Sequence, residues 1–160
     1  MEAETTPPEN GRQSMTDLAV FGAGRIGHVH ALNAASLPSV RVKYLVDPVA
    51  SEQRAGLAVR IGADIVSADT VFSDASVDGI VIASSTDTHA GLLLQAARAG
   101  KAIFCEKPVS LDFVTVEAVT TAVETFRRAI GDNRRREYRS TAILVRQAVV
   151  APQLHLQDSK

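Results

Sequence analysis

The sequence is short of several things, and each shortage closes off a class of function. It has one cysteine, Cys105, in 160 residues. An intramolecular disulfide is excluded, and a reducing compartment fits. It has almost no excess charge: 17 Lys and Arg against 18 Asp and Glu leave a net charge of −1. That removes any global electrostatic attraction to nucleic acid or to an anionic membrane. Aromatic residues make up only 4%, so the seven arginines from Arg127 to Arg146 have one ring among them, Tyr138, too few for the interleaving of a nucleic-acid patch. No apolar run approaches the roughly 20 residues of a membrane span. The start carries Glu2, Glu4 and Glu9 without an apolar core, unlike a secretory signal. The expectation left is a cytoplasmic protein with neither nucleic acid nor membrane as partner. No metal is expected either, because His28 and His30 sit about half a turn apart on one predicted helix and no other ligand cluster is visible.

What is present is the composition of a globular domain, 46% apolar and 22% charged, in three zones. Residues 1–15 have almost nothing to bury and are expected to be a disordered extension. Residues 16–126 alternate. Short apolar runs at Leu18–Gly22, Val40–Asp47, Asp64–Val66, Gly79–Ser85 and Ala102–Cys105 predict strands. Helical spacing predicts helices over 25–37, with Ile26, Val29 and Leu32 in the apolar stripe, and over 49–60, 87–99 and 110–126. Such alternation predicts an α/β fold, a doubly wound parallel sheet covered on both faces. Residues 127–160 read differently. They are basic and aperiodic, and the alternation is expected to stop there.

The first strand runs into "VFGAGRIGHVHA", which contains Gly22-x-Gly24-x-x-Gly27. Between a strand and a helix, that spacing is the dinucleotide fingerprint. Gly22 permits the tight turn, Gly24 lets backbone approach a pyrophosphate, and Gly27 lets the helix pack on the strand. Arg25 and Ile26, inside the turn, are further candidate cofactor contacts. Asp47 ends the second strand, about 20 residues beyond Gly27, where an acid reaches the adenosine ribose hydroxyls. An acid there repels a 2′-phosphate, so NAD is expected over NADP; Arg54 is the one residue that argues the other way.

Two more junctions should open on the same crevice, since ligands lie outside the carboxyl ends of the strands in such sheets. Ser84, Ser85, Thr86 and His89 follow the strand at 79–85, with Thr86 or Asp87 a candidate helix cap. For His89 a structural hydrogen bond and a site contact stay open. The next junction, "GKAIFCEKPVSLD", sets Glu106 and Lys107 at a strand end ahead of Pro108. A local Glu106–Lys107 ion pair is the plain reading. The alternative is a partly desolvated lysine that exchanges a proton with a substrate hydroxyl. Cys105 reads as a buried strand thiol.

"AVFGAGRIGHVHA", "VDP", "IASSTDTHA" and "GKAIFCEKPVSLD" together resemble the N-terminal half of the Gfo/Idh/MocA oxidoreductases, over about residues 17–124. The last motif is most similar to the inositol 2-dehydrogenases among them. The resemblance implies a Rossmann NAD-binding domain followed by a larger α/β domain that walls the substrate site and forms oligomers. It implies oxidation of a small polyol or cyclitol hydroxyl, myo-inositol to its 2-ketone, by hydride transfer to NAD. Lys107 would be catalytic, with Glu106 and Lys107 beside the cofactor. The usual partners, an Asp and a His proton acceptor, come from the second domain. That domain is missing from the recognisable sequence, which suggests a truncated or frameshifted gene product that binds NAD without turning over.

Overall fold

The computed structural model describes residues 15–133 and 143–145. Residues 1–14 of the expected extension, and most of the expected tail at 127–160, lie outside them. In chain order the elements are β1 (Thr16–Phe21), α1 (Arg25–Ala35), β2 (Val40–Val46), α2 (Glu52–Ile61), β3 (Asp64–Ile65), α3 (Ala68–Ser73), β4 (Gly79–Ile82), α4 (Thr86–Arg98), β5 (Ala102–Cys105), α5 (Phe113–Asn133) and β6 (Ile143–Val145). The described strands form one sheet in the order β3-β2-β1-β4-β5-β6, every pair parallel. This is the doubly wound order in which the chain starts at the centre and reverses direction between β1 and β4.

Period-2 alternation divides the apolar side chains between two cores. Ala19, Phe21, Ile80, Ile82, Ile103 and Cys105 face one way and meet Val71 of α3, Leu93 and Ala96 of α4, and Val119 and Val123 of α5. Val20, Val42, Leu45 and Val81 face the other way and meet Ala31 of α1 and Leu57 and Ala58 of α2. A sheet buried on both faces explains why its strands read as continuous apolar runs. Between β1 and β2 the register slips by one residue after Leu18, so Ala19 pairs with Tyr44 and Lys43 is the extra residue. Lys43 turns to Asp74, at the end of α3, and donates to it at 2.6 Å.

The helices depart from expectation in three places. In α1 the predicted stripe is not the buried one: Ile26 and Val29 are 42% and 49% exposed, while Gly27 and Ala31 are buried. Leu32 of the predicted stripe does pack against the core, but at its start the helix lies so close to the turn after β1 that only a glycine fits at position 27. The helix α3 was not expected; it is capped by Ser67, whose hydroxyl accepts the Thr70 N–H. The alternation also continues past 126: α5 runs to Asn133 and β6 adds a parallel strand beside β5. Residues 127–133 at the end of α5 are largely polar, and Ile143–Val145 is only a three-residue apolar run after an arginine-rich stretch, so neither stands out in the sequence.

Candidate dinucleotide and catalytic site

The carboxyl ends of β1, β2, β4 and β5 open on one cleft of about 850 Å³. The first wall is the glycine turn, where the three glycines have separate reasons. Gly22 has φ +103°, and a Cβ there would stand 2.6 Å from Ala83 O, the backbone just past β4. A Cβ on Gly27 would stand 1.9 Å from Gly22 O, so this glycine is what brings α1 down onto the turn. A Cβ on Gly24 would meet nothing within 4 Å. Gly24 borders the cleft, so the missing side chain leaves backbone open to a ligand and to nothing else.

Asp47 holds this turn from β2. Its Oδ2 accepts the Ala23 N–H at 2.7 Å and its Oδ1 accepts the Val49 N–H at 2.9 Å. Arg54 does not point to a phosphate: its Nη1 donates to the Asp47 carbonyl oxygen at 2.7 Å, and its Nε is buried without a partner.

Helix N-termini sharpen the picture. Ser51 caps α2 and Ser67 caps α3 through their side chains, and the Asp112 carboxylate accepts the Thr115 N–H at the start of α5. The helices α1 and α4 start at Gly24 and Ser85 with no side-chain cap. The cap of α4 is thus Ser85, one residue before the expected Thr86 or Asp87. Uncapped N–H groups and the positive end of the helix dipole remain available at these two sites, both bordering the cleft. Around the start of α4, Thr88 Oγ1 donates to Ser85 O at 2.7 Å, which leaves Ser84 to donate to Thr88 at 2.6 Å.

At the β5 end, Glu106 does not pair with Lys107. Its Oε1 lies 2.6 Å from His30 Nε2 on α1, and its Oε2 accepts the Lys107 N–H at 3.2 Å. The His30 contact, more than the weaker pull of Lys107, holds the Glu106 carboxyl below its ordinary pKa. Lys107 itself is exposed. The partial desolvation expected of it is absent here, because no element among those described covers that edge. His89 is buried, with Nδ1 2.8 Å from Pro108 O and Nε2 3.0 Å from Ser84 O. Cys105 is the buried thiol expected, pushed up to about 12 chiefly by burial, and is no nucleophile.

All the sequence-predicted cofactor residues border this cleft except Gly27, which packs beneath it. The residues that sequence reasoning missed are the apolar wall beyond Asp47: Pro48, Val49, and Val66 to Ala68 after β3. The rule that ligands lie at carboxyl strand ends would have found the β3 end, had that two-residue strand been weighted equally. Among the described residues no three His, Cys, Asp or Glu cluster as metal ligands, and no helix is long and apolar enough to cross a membrane.

A family profile described as an oxidoreductase family with an NAD-binding Rossmann fold matches residues 16–130. The chain belongs to the Gfo/Idh/MocA oxidoreductases. Among its relatives, the inositol 2-dehydrogenase of Rhizobium meliloti is 41% identical over 120 residues, 72% of this chain and 36% of that protein. The NAD-dependent scyllo-inositol 2-dehydrogenase of Bacillus subtilis is 33% identical over 109 residues, 66% of this chain and 32% of its own. A solved myo-inositol dehydrogenase from Corynebacterium glutamicum superposes with a TM-score of 0.64 at 41% identity, covering 70% of this chain and 34% of that one. This Gfo/Idh/MocA chain therefore spans about a third of the length of the relatives it matches.

Proposed function

We propose that this chain is the cofactor-binding half of an NAD-dependent cyclitol dehydrogenase of the inositol type, with Lys107 as its contribution to the chemistry. The observation that carries the reading is that Asp47 and Lys107 border one cleft from strands three spacings apart, about 14 Å, with the glycine turn between them. The open backbone at Gly24 and the uncapped start of α1 fit a pyrophosphate. Asp47 accepts from ribose hydroxyls with the lone pairs its two backbone bonds leave free, and its charge disfavours a 2′-phosphate. Ser84 to Thr86 and His89 border the middle of the cleft, and Glu106 and Lys107 its far end. Bound NAD supplies the hydride acceptor. The Lys107 amine hydrogen-bonds the reacting hydroxyl and helps to polarise or deprotonate it.

A dehydrogenase also needs a general base and a wall that positions the polyol. Losing a base costs about 10²–10⁴ in rate, and losing positioning costs more. Residues 1–160 alone are therefore expected to bind NAD with turnover near zero. NADH fluorescence titration and an assay of NADH formation from myo-inositol test this. Saturable NADH binding, stronger than NADPH binding, is expected. No binding would sink the cofactor assignment, and a rate typical of dehydrogenases would sink the claim of inactivity. A non-catalytic NAD-binding module is the second reading, favoured for residues 1–160 by the exposure of Lys107. Trace NADH formation that disappears in Lys107→Met separates the two.

A further inference from the structure

The turn that carries Lys107 is tied to both helices that open onto the cleft, one tie on each side of the lysine. On the α1 side the tie runs through a carboxylate. His30 Nε2 meets Glu106 Oε1 at 2.6 Å, and the other oxygen of that carboxylate accepts the Lys107 N–H at 3.2 Å. His30 is itself held by β5, its ring edge-on to Phe104 with centroids 4.9 Å apart. On the α4 side the tie is direct. His89, only 2% exposed, has Nδ1 2.8 Å from Pro108 O and Nε2 3.0 Å from Ser84 O. A neutral ring carries one N–H: as the Nδ1–H tautomer it donates to Pro108 O and ties α4 to the residue after Lys107, whereas the Nε2–H tautomer would donate to Ser84 O instead.

These contacts go beyond what packing requires. A buried histidine needs one acceptor, and its own helix offers carbonyls; His89 instead reaches 19 residues along the chain. His30, on the first helix, reaches 76 residues. We propose that His30 and His89 are positioning residues that clamp the Lys107 turn between α1 and α4, so that the elements holding the dinucleotide also aim the lysine. The inference rests on the reading of Lys107 given above.

The test uses the full chain with its four lysines reductively methylated with ¹³C, the Lys107 signal being identified by its loss in Lys107→Arg. Saturating NAD is expected to displace that signal. In His30→Leu the displacement is expected to fall by more than half, with NAD affinity within about threefold of the parent chain. In His89→Phe, which also alters the cleft wall, only the displacement at saturating NAD is read, and it is expected to fall likewise. His30→Gln, whose amide can donate to Glu106, is expected to restore it. If His89→Phe does not fold, the two His30 variants still decide. Unchanged displacement in the loss variants, with or without a lowered melting temperature, overturns the clamp and leaves the proposed function standing. Loss of NAD binding in His30→Leu overturns it too, since the glycine turn and Asp47 are untouched. If NAD binds the parent chain without moving the Lys107 signal, the assignment of Lys107 fails and the clamp with it.

Discussion

Three glycines that look alike in the sequence have three different tolerances. Gly24 has extended backbone, φ −69° and ψ −177°, and empty space where a Cβ would go. Gly24→Ala is expected to fold with a melting temperature within about 3 °C of the parent, since ΔΔG is well under 1 kcal/mol, while losing most NADH affinity. Gly27→Ala drives a methyl into Gly22 O and is expected to cost about 3 kcal/mol or more. Thermal melts and NADH titration on both variants read the contrast; equal melting temperatures would refute it. The spacing of the glycines announced a phosphate-binding turn. It also announced that Gly27 packs the helix on the strand; it could not announce that Gly22 is walled by the backbone just past β4, where a Cβ would stand 2.6 Å from Ala83 O. His30 was equally illegible: helical spacing brought it near His28, and only the fold brought it to Glu106.

At the scale of elements, β1, β4 and β5 were legible because each is short, largely apolar and covered on both faces, which leaves little ambiguity of period. The helix α3 is too brief to be legible, while β3 reads one residue longer in the sequence, as Asp64–Val66. Val71 of α3 is buried in the core, and the turn after that helix is tied to β2 by polar contacts. Asp74, after α3, accepts from Lys43 Nζ at 2.6 Å, from Tyr44 OH at 2.9 Å and from the Ser76 N–H at 2.8 Å. The Lys43 contact is the largest cause of a carboxyl pKa far below the ordinary value. A depressed carboxylate contributes stability that is fully present above its unfolded pKa and is lost as pH falls through the folded one. The melting temperature of the parent chain is therefore expected to drop faster than that of Asp74→Asn as pH is lowered from about 5 into the strongly acid range. Parallel melting curves at every pH would count against the network.

For the whole molecule, the sequence carried the sheet and the crevice, because topology follows from alternation and right-handed crossover. It did not carry α5 beyond 126 or the pairing of β6, where arginines mask the pattern. Leu111, Phe113 and Val114 stand 89%, 75% and 71% exposed at the start of α5, apolar surface that nothing among the described residues covers. Ligand linkage then becomes the main lever on stability. NAD at 100 times its dissociation constant is expected to add about 2.7 kcal/mol, a rise in melting temperature of about 10 °C for a domain of this size. Differential scanning fluorimetry with NAD, NADP and neither checks it. A rise no greater with NAD than with NADP would contradict the role given to Asp47.

The two backbone bonds accepted by Asp47 also constrain how this lineage can change. Cofactor preference is commonly treated as a trait that drifts by exchanging one acid. Here the acid proposed to disfavour the 2′-phosphate also braces the turn proposed to hold the dinucleotide. A single exchange at this position yields a descendant poorer with both cofactors. On that reading, a change of cofactor preference needs a second substitution that braces the Ala23 N–H.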